Sequence, residues 1–196
     1  CSLPSGPLLS GSVAWLPMAG ALAATLTLAA AVDNSGTGDV TIYAAGTNVN
    51  ADELRIGTNT NVVRANGGNI LLVAGGNVDF ADSPTVSTTG TGTIGIHAGR
   101  ELAFGGGLSD GAASASADIL EGTAYTVQSG GGTVTLTARD EVQLEVVNAG
   151  AGAAVITADS DGSSAGAIID ADDDTVATPN ITAGSVALRA ATGIGS

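Results

Sequence analysis

One seven-residue phrase recurs six times and limits what this chain can fold into. The copies are GDVTIYA from Gly38, GNILLVA from Gly68, GTIGIHA from Gly92, GTVTLTA from Gly132, GAAVITA from Gly152 and GSVALRA from Gly184. Each reads glycine, any residue, apolar, any residue, apolar, any residue, alanine. Alternation with a period of two is the pattern of a strand. A fixed phrase that returns at quasi-regular spacing is the pattern of a repeat architecture. The spacings between the phrase glycines are 30, 24, 40, 20 and 32 residues.

The gaps repeat as well. A second apolar pair follows ten and twelve residues after the glycine, at Val78/Phe80, Leu102/Phe104 and Val142/Leu144. Ile194 has the same offset in the last copy, and Val49 is one residue late in the first. A valine stands six residues before the glycine at Val32, Val62, Val86 and Val146. One turn of the pattern therefore holds about three short strands, and the tightest copy fits them into 20 residues.

A strand that buries alternate side chains needs an opposing face. No single copy supplies one, but stacked copies do, with equivalent strands paired in parallel and inward residues in columns. The sequence predicts an all-β chain, a right-handed parallel β-helix (β-solenoid) with short irregular loops. The handedness follows from the rule for parallel crossovers. Seven or eight coils, each rising about 4.8 Å, would make a rod roughly 35 Å long.

The solenoid is expected over residues 20–196, with bulges at 105–131 and 159–180. Residues 20–37 read as a degenerate first coil, on the alternation of Leu22, Ala24, Leu26 and Leu28 with Val32 at offset +12 from Gly20. The 40-residue gap is long enough to hide another, with Ile119, Leu120, Tyr125 and Val127 as strand residues. Residues 1–19 read as an irregular N-terminal segment, either a further irregular coil or a piece packing over the rod end as a cap or junction. In the tightest copy Val134, Leu136, Val142, Leu144 and Val146 are expected inside, with Thr135, Thr137, Gln143 and Glu145 outside.

Charge and composition narrow the function. The chain has 5 arginines, no lysine and 19 acidic residues, for a net charge of −14. Such a surface argues against nucleic acid and anionic lipid as partners. Aromatic residues are 3% of the chain, so the core must be thin and filled by Val, Ile, Leu and Ala. Cys1 stands alone, which excludes an internal disulfide; a lipid anchor on it is the alternative to an ordinary first residue. Residues 1–32 are uncharged, but Pro4, Pro7 and Pro17 and several glycines cut the stretch. The run from Met18 to Val32 is short for a membrane span. It reads as solenoid strand in preference to a signal segment.

Candidate chemistry is sparse. Asp159, Asp161 and Asp170 fall at positions 1, 3 and 12 of a calcium-type loop, but Ser164 stands where a glycine is needed and no glutamate closes it. With Asp172, Asp173 and Asp174 they form an acidic loop, and calcium at Asp159, Asp161, Asp170 and Asp172 is the weaker alternative to a solvated loop. His97 is the only histidine, and alternation points it outward. Nothing marks it as part of a triad or a metal site. Solenoid polysaccharide enzymes need a cluster of acids and bases in a cleft; the absence of lysine and the scattered arginines argue against an enzyme. Thr41, Thr93, Thr133, Thr135, Thr137 and Thr157 enrich the outward positions, but Tyr43, Leu71, Val73 and Val155 interrupt an array for ice or sugar.

The stretches GTGDVTIYAAGTNV, GGNILLVAGGNVDF, GGGTVTLTARDEVQL and ITAGSVALRAATGIGS resemble the filamentous-haemagglutinin-like large exoproteins, giant bacterial surface and secreted β-repeat proteins. The resemblance covers residues 20–196 and implies a right-handed parallel β-helix, export to the cell exterior, and a role in adhesion, biofilm or fibres. Secretion-domain motifs of the NPNG type are not visible, so the stretch resembles shaft. The expected function is a structural segment of an extracellular β-solenoid, an adhesin shaft or filament subunit assembling end to end; the alternative is a carbohydrate- or surface-binding module using one of the bulges. Ile181, Val186, Leu188 and Ile194 carry the apolar columns to the last residues. Either a longer chain continues from these ends or copies associate end to end, and the expected assembly junction is Leu8, Leu9, Val13, Trp15 and Ile194.

Overall fold

The computed structural model describes residues 13–16 (backbone only), 25–28, 30–45, 53–57, 63–81, 83–102, 107–109, 115–121, 124–171 and 179–195. These residues build a parallel β-helix from three sheets. The first holds the phrase strands: β1 (Val13–Leu16), β4 (Val40–Ala44), β7 (Ile70–Ala74), β10 (Ile94–Ala98), β15 (Val134–Thr137), β18 (Ala153–Thr157) and β21 (Ser185–Arg189). The second holds β2 (Leu26–Leu28), β5 (Leu54–Ile56), β8 (Val78–Phe80), β13 (Ile119–Glu121), β16 (Val142–Leu144), β19 (Ala167–Asp170) and β22 (Gly193–Ile194). The third holds β3 (Val32–Asn34), β6 (Val63–Ala65), β9 (Thr85–Thr88), β14 (Thr126–Ser129), β17 (Val146–Asn148) and β20 (Ile181–Thr182). Every neighbouring pair in the three sheets runs parallel, as at β7–β10, β13–β16 and β14–β17.

The six phrases pair in the expected register. Val40 faces Ile70, Ile70 faces Ile94, Ile94 faces Val134, Val134 faces Ala154 and Ala154 faces Val186. Buried inward residues from all three sheets join one hydrophobic core. Leu136, Ile96 and Ile156 are fully buried in it, while Thr135 and Thr137 point outward.

The phrase glycines have a packing reason. A methyl group on Gly68, Gly92, Gly132 or Gly152 would run into the carbonyl oxygen of the phrase glycine one coil earlier. None of these four needs a left-handed backbone; the constraint is close approach between coils. Buried polar residues that end the third sheet's strands stitch the same corner. Thr88 Oγ1 donates to the Gly68 carbonyl at 2.6 Å, Ser129 Oγ to that of Gly92 at 2.8 Å, and Asn34 Nδ2 to that of Gly38 at 2.6 Å. Each of these three buried side chains is thus satisfied.

Four expectations are corrected. First, β1 lies beside β4 in the phrase sheet, with Val13 opposite Val40 and a register shift between Ala14 and Leu16. The coil therefore opens ahead of Gly20, in the stretch read as a further irregular coil, and Val32 holds the third-sheet place given by its offset of six before Gly38, opposite Val63, instead of the +12 place counted from Gly20. Leu8, Leu9, Leu22 and Ala24 lie outside the described residues, and so does Cys1.

Second, the 40-residue gap holds no extra coil, because β10 pairs directly with β15. Ile119 takes the place read for Leu102/Phe104, between Val78 and Val142. Leu102 instead enters an antiparallel hairpin of β11 (Glu101–Leu102) and β12 (Leu108–Ser109); Phe104 lies outside the described residues. The excursion thus ends before Ala117, and residues 119–121 and 126–129 belong to the coil.

Third, Leu54 and Ile56 fill the place read for Val49, opposite Val78 and Phe80; Val49 is outside the described residues. Fourth, the third sheet keeps the offset of six at Val32 and Val86, which are buried, and departs from it by one residue in two other coils. Val63 is buried opposite Val86, and Val147 is buried while Val146 faces outward. Glu145 sits buried at the corner between β16 and β17. Corner length varies from coil to coil, and a one-residue slip exchanges the two faces of a strand.

Candidate functional site

The outer face of the phrase sheet carries three columns. Strand entry is lined by Asp39, Asn69, Thr93 and Thr133, the residues just before the paired strands. The middle column is Thr41, Leu71, Gly95, Thr135, Val155 and Ala187, and the last is Tyr43, Val73, His97, Thr137, Thr157 and Arg189. The entry column is a hydrogen-bonded ladder. Asp39 Oδ1 accepts from the Asn69 N–H at 2.8 Å and from its side-chain amide at 3.1 Å. Asn69 Oδ1 accepts from the Thr93 N–H at 2.9 Å and from its hydroxyl at 2.8 Å.

Gly95 is the one position in the middle column without a side chain, and a concavity of about 490 Å³ opens along β4, β7, β10 and β15. Thr41, Leu71, Thr135 and the His97 ring border it, with Asp39 at one end. His97 leans back over Gly95: its Nε2 lies 3.0 Å from where a Gly95 side chain would begin, with Leu71 Cδ1 at 3.3 Å from the same point. Burial lowers the His97 pKa to about 4, and the nearby Arg100 charge adds to the effect. The imidazole is therefore neutral at physiological pH. The lining offers hydroxyls, an amide, a neutral imidazole, one carboxylate and no cation. It suits a neutral polar ligand and disfavours an anionic one. Its sequence signal is small: the third copy alone combines glycine at the outward +3 place with histidine at +5.

Three of the four calcium candidates are described, and each is hydrogen-bonded within the chain. Asp159, almost fully buried, accepts from the Ser163 hydroxyl at 3.0 Å and the Ser164 N–H at 3.1 Å. Asp161 accepts from the Ser163 N–H at 3.1 Å and from Arg139 Nε at 3.2 Å. Burial works to raise the Asp161 pKa, but the Ser163 and Arg139 hydrogen bonds outweigh it and hold the carboxyl below its usual range. Asp170 stands at the end of β19 and accepts from Asn180 at 2.8 Å. Asp172, Asp173 and Asp174 lie outside the described residues. Among the described residues no three acidic, histidine or cysteine side chains gather as a metal site would require.

A hydrogen-bonded carboxyl pair stands elsewhere, beside the second sheet. The Glu53 carboxyl is pushed above its usual range by burial and by its hydrogen bond with Asp79. Arg55 Nε lies 3.5 Å from Asp79 Oδ2, and the Thr25 hydroxyl donates to Glu53 at 3.5 Å. These groups tie β2, β5 and β8 together from the outside.

Of the expected junction residues, Ile194 is 55% exposed on β22, beside Val186 at 51% and Leu188 at 37% on β21. Val13 and Trp15 lie on β1, of which only the backbone pairing is described. No helix of the described residues is long and apolar enough to cross a membrane. No protein-family model, curated protein or solved structure matches the chain.

Proposed function

We propose that this chain is a structural segment of an extracellular bacterial β-solenoid, an adhesin shaft or surface-filament unit that joins end to end. One observation carries the reading: the phrase sheet keeps parallel register from β4 to β21 with no strand out of order. Ladders of this kind make a stiff, quasi-one-dimensional body whose length grows with each coil. The resemblance to filamentous-haemagglutinin-like exoproteins supports the extracellular setting, and the acidic charge keeps rods from clumping sideways.

Coil ends support the joining mode. Val186, Leu188 and Ile194 occupy columns whose previous members Ala154, Ile156 and Ile168 are no more than 1% exposed. Further coils of a longer chain, or a second copy stacked there in a head-to-tail contact that propagates, would cover these side chains and extend the ladders. Sedimentation across a concentration series, with electron microscopy of the same samples, tests this. We expect growing elongated species that Leu188→Asp suppresses while far-ultraviolet circular dichroism is unchanged. A compact monomer at every concentration would overturn it.

A second reading rests on the concavity at Gly95. It would make the shaft a binding module for neutral glycans, on the sheet instead of on a bulge. A glycan array with wild type and Gly95→Leu, which fills the concavity, separates the readings. Binding lost in the variant supports the module; equal signals from both chains remove it.

A further inference from the structure

We propose that Asn66–Gly67 is a site of spontaneous backbone rearrangement, at which the side-chain amide of Asn66 is lost and aspartate or isoaspartate is formed. The pair stands at the exposed corner between β6 and β7, with both residues exposed and Gly67 in the left-handed region at φ +85°. No atom lies within 4 Å of where a Gly67 side chain would begin. Gly67 thus brings no side chain of its own beside the attacking nitrogen, and no other residue packs into the place where one would stand. That nitrogen makes no hydrogen bond to any other described residue.

Each of the remaining described asparagines differs on at least one count. The nitrogen after Asn69 is that of Ile70, which donates to the Thr93 carbonyl at 2.8 Å. After Asn77, Val78 donates to Asp118 at 3.0 Å, and after Asn148, Ala149 donates to Thr182 at 2.8 Å. Asn180 precedes the branched Ile181. Asn34 is buried, with its amide bound to Gly38 and its carbonyl oxygen to the Gly36 N–H. Ladder bonds thus hold the nucleophile at three of these sites, and bulk or burial shields the others.

The carbonyl side of Asn66 is activated. The Thr89 hydroxyl donates to Asn66 Oδ1 at 3.0 Å and draws electron density from the amide carbon. It also stands where negative charge grows in the tetrahedral intermediate. A corner concavity of about 240 Å³ beside Asn66, Thr89 and Arg64 admits water. In the first step the Gly67 nitrogen loses its proton to solvent base and bonds to Cγ of Asn66. The Cγ–Nδ2 bond breaks, and the amide leaves as ammonia after taking up a proton. Water then opens the cyclic imide at either carbonyl, leaving aspartate or isoaspartate at position 66. The net change is hydrolysis, with no oxidant or reductant.

The product loosens three coils at once. Asn66 Nδ2 donates to the Ser35 carbonyl at 3.2 Å, while Oδ1 receives Thr89 from the other side. A carboxylate has no hydrogen to give Ser35, and its charge faces that carbonyl oxygen. The isoaspartate form also lengthens the main chain by one methylene at a corner of the stack.

The test is incubation of the folded full chain at mildly alkaline pH, followed by peptide mapping and labelling with an isoaspartyl methyltransferase. Deamidation is expected first at Asn66, ahead of every other described asparagine, and Asn66→Gln should abolish the early signal. Thr89→Val should slow ammonia loss about two- to tenfold, the value of one hydrogen bond, and its unfolding curve confirms that it is folded. The deamidated fraction should melt a few degrees lower. An intact Asn66, over a time in which a peptide of residues 62–72 converts, would overturn the proposal. So would earlier conversion at Asn69, Asn77 or Asn148.

Discussion

At the scale of single residues, the phrase glycines and His97 make separate demands. Gly92 has the Gly68 carbonyl and the Thr88 side chain where a methyl would go. Backbone on one side cannot give way without opening the stack. Gly92→Ala should cost more than about 2 kcal/mol of stability. Gly193→Ala, where no atom lies within 4 Å, should stay within about 0.5 kcal/mol. Denaturant midpoints of the two variants check this, and equal midpoints would refute the close-approach reading. His97 predicts a pH dependence. Unfolded, it takes up a proton below its ordinary value of 6.5; folded, it does so only near 4. The unfolded state therefore binds more protons in that window, and stability falls as pH drops from about 6.5 to about 4. Glu53 and Asp118 act in the opposite sense, because burial raises both carboxyls above their usual range. The measurement is thus a difference: wild type minus His97→Gln, followed by thermal melts across the window. A flat difference would remove the role of His97. The outward direction of His97 is legible from alternation alone. Its half-burial is not, since that depends on the missing side chain at Gly95 two residues away.

At the scale of elements, the sequence carries the phrase strands well because their register is tied to a glycine that cannot be replaced. It carries the other two sheets less well, because distances from that glycine pass through corners of variable length. Val78/Phe80 and Val142/Leu144 follow tight corners and stand where the offsets put them. Ile119 comes after the β11–β12 hairpin, so the offset count lands on Leu102 instead. β1 hides for another reason. Gly11, Val13 and Trp15 match the phrase start, but Pro17 stands where the alanine belongs. The corner between the second and third sheets holds an aromatic pair that the repeat pattern does not announce. Phe80 and Tyr125 stack with ring centroids 4.3 Å apart and planes at 12°, and the Tyr125 hydroxyl donates to the Gln143 carbonyl at 2.7 Å. Both rings are fully buried. Phe80→Ala should cost about 3–5 kcal/mol. Tyr125→Phe should cost about 1 kcal/mol, the value of the lost hydrogen bond. Urea titrations of both give the order, and a Tyr125→Phe loss as large as that of Phe80→Ala would mean that the hydroxyl, not the stack, holds the corner. The β11–β12 hairpin is different in kind. Leu108 and Ser109 are exposed, and β10 passes its ladder directly to β15, so the hairpin contributes little to the coil.

At the scale of the whole molecule, each coil touches mainly the coils before and after it, and stability becomes a sum over neighbours. Arginine use follows the same rule. Arg64 pairs with Asp33, Arg55 with Asp79 and Arg139 with Asp161, each across successive coils of the same face or corner. These pairs offset part of the self-repulsion expected from a net charge of −14. A stack of this kind should respond to a buried charge according to its place. Leu136 is fully buried on β15, between Ile96 and Ile156, whereas Leu188 on β21 is 37% exposed. Leu136→Asp places an uncompensated charge in the middle of the core and cuts the inward column in two. Leu188→Asp affects one edge. Hydrogen exchange reads the difference strand by strand. In the wild type, protection should be greatest along β7, β10, β15 and β18 and should decline toward β21 and β22, which have neighbours on one side only. Leu136→Asp should collapse protection in β10, β15 and β18 together. Leu188→Asp should lower it in β21 and β22 and leave β7 and β10 unchanged. Uniform loss across all strands in both variants would show a single cooperative unit, and the nearest-neighbour description would then fail for this rod.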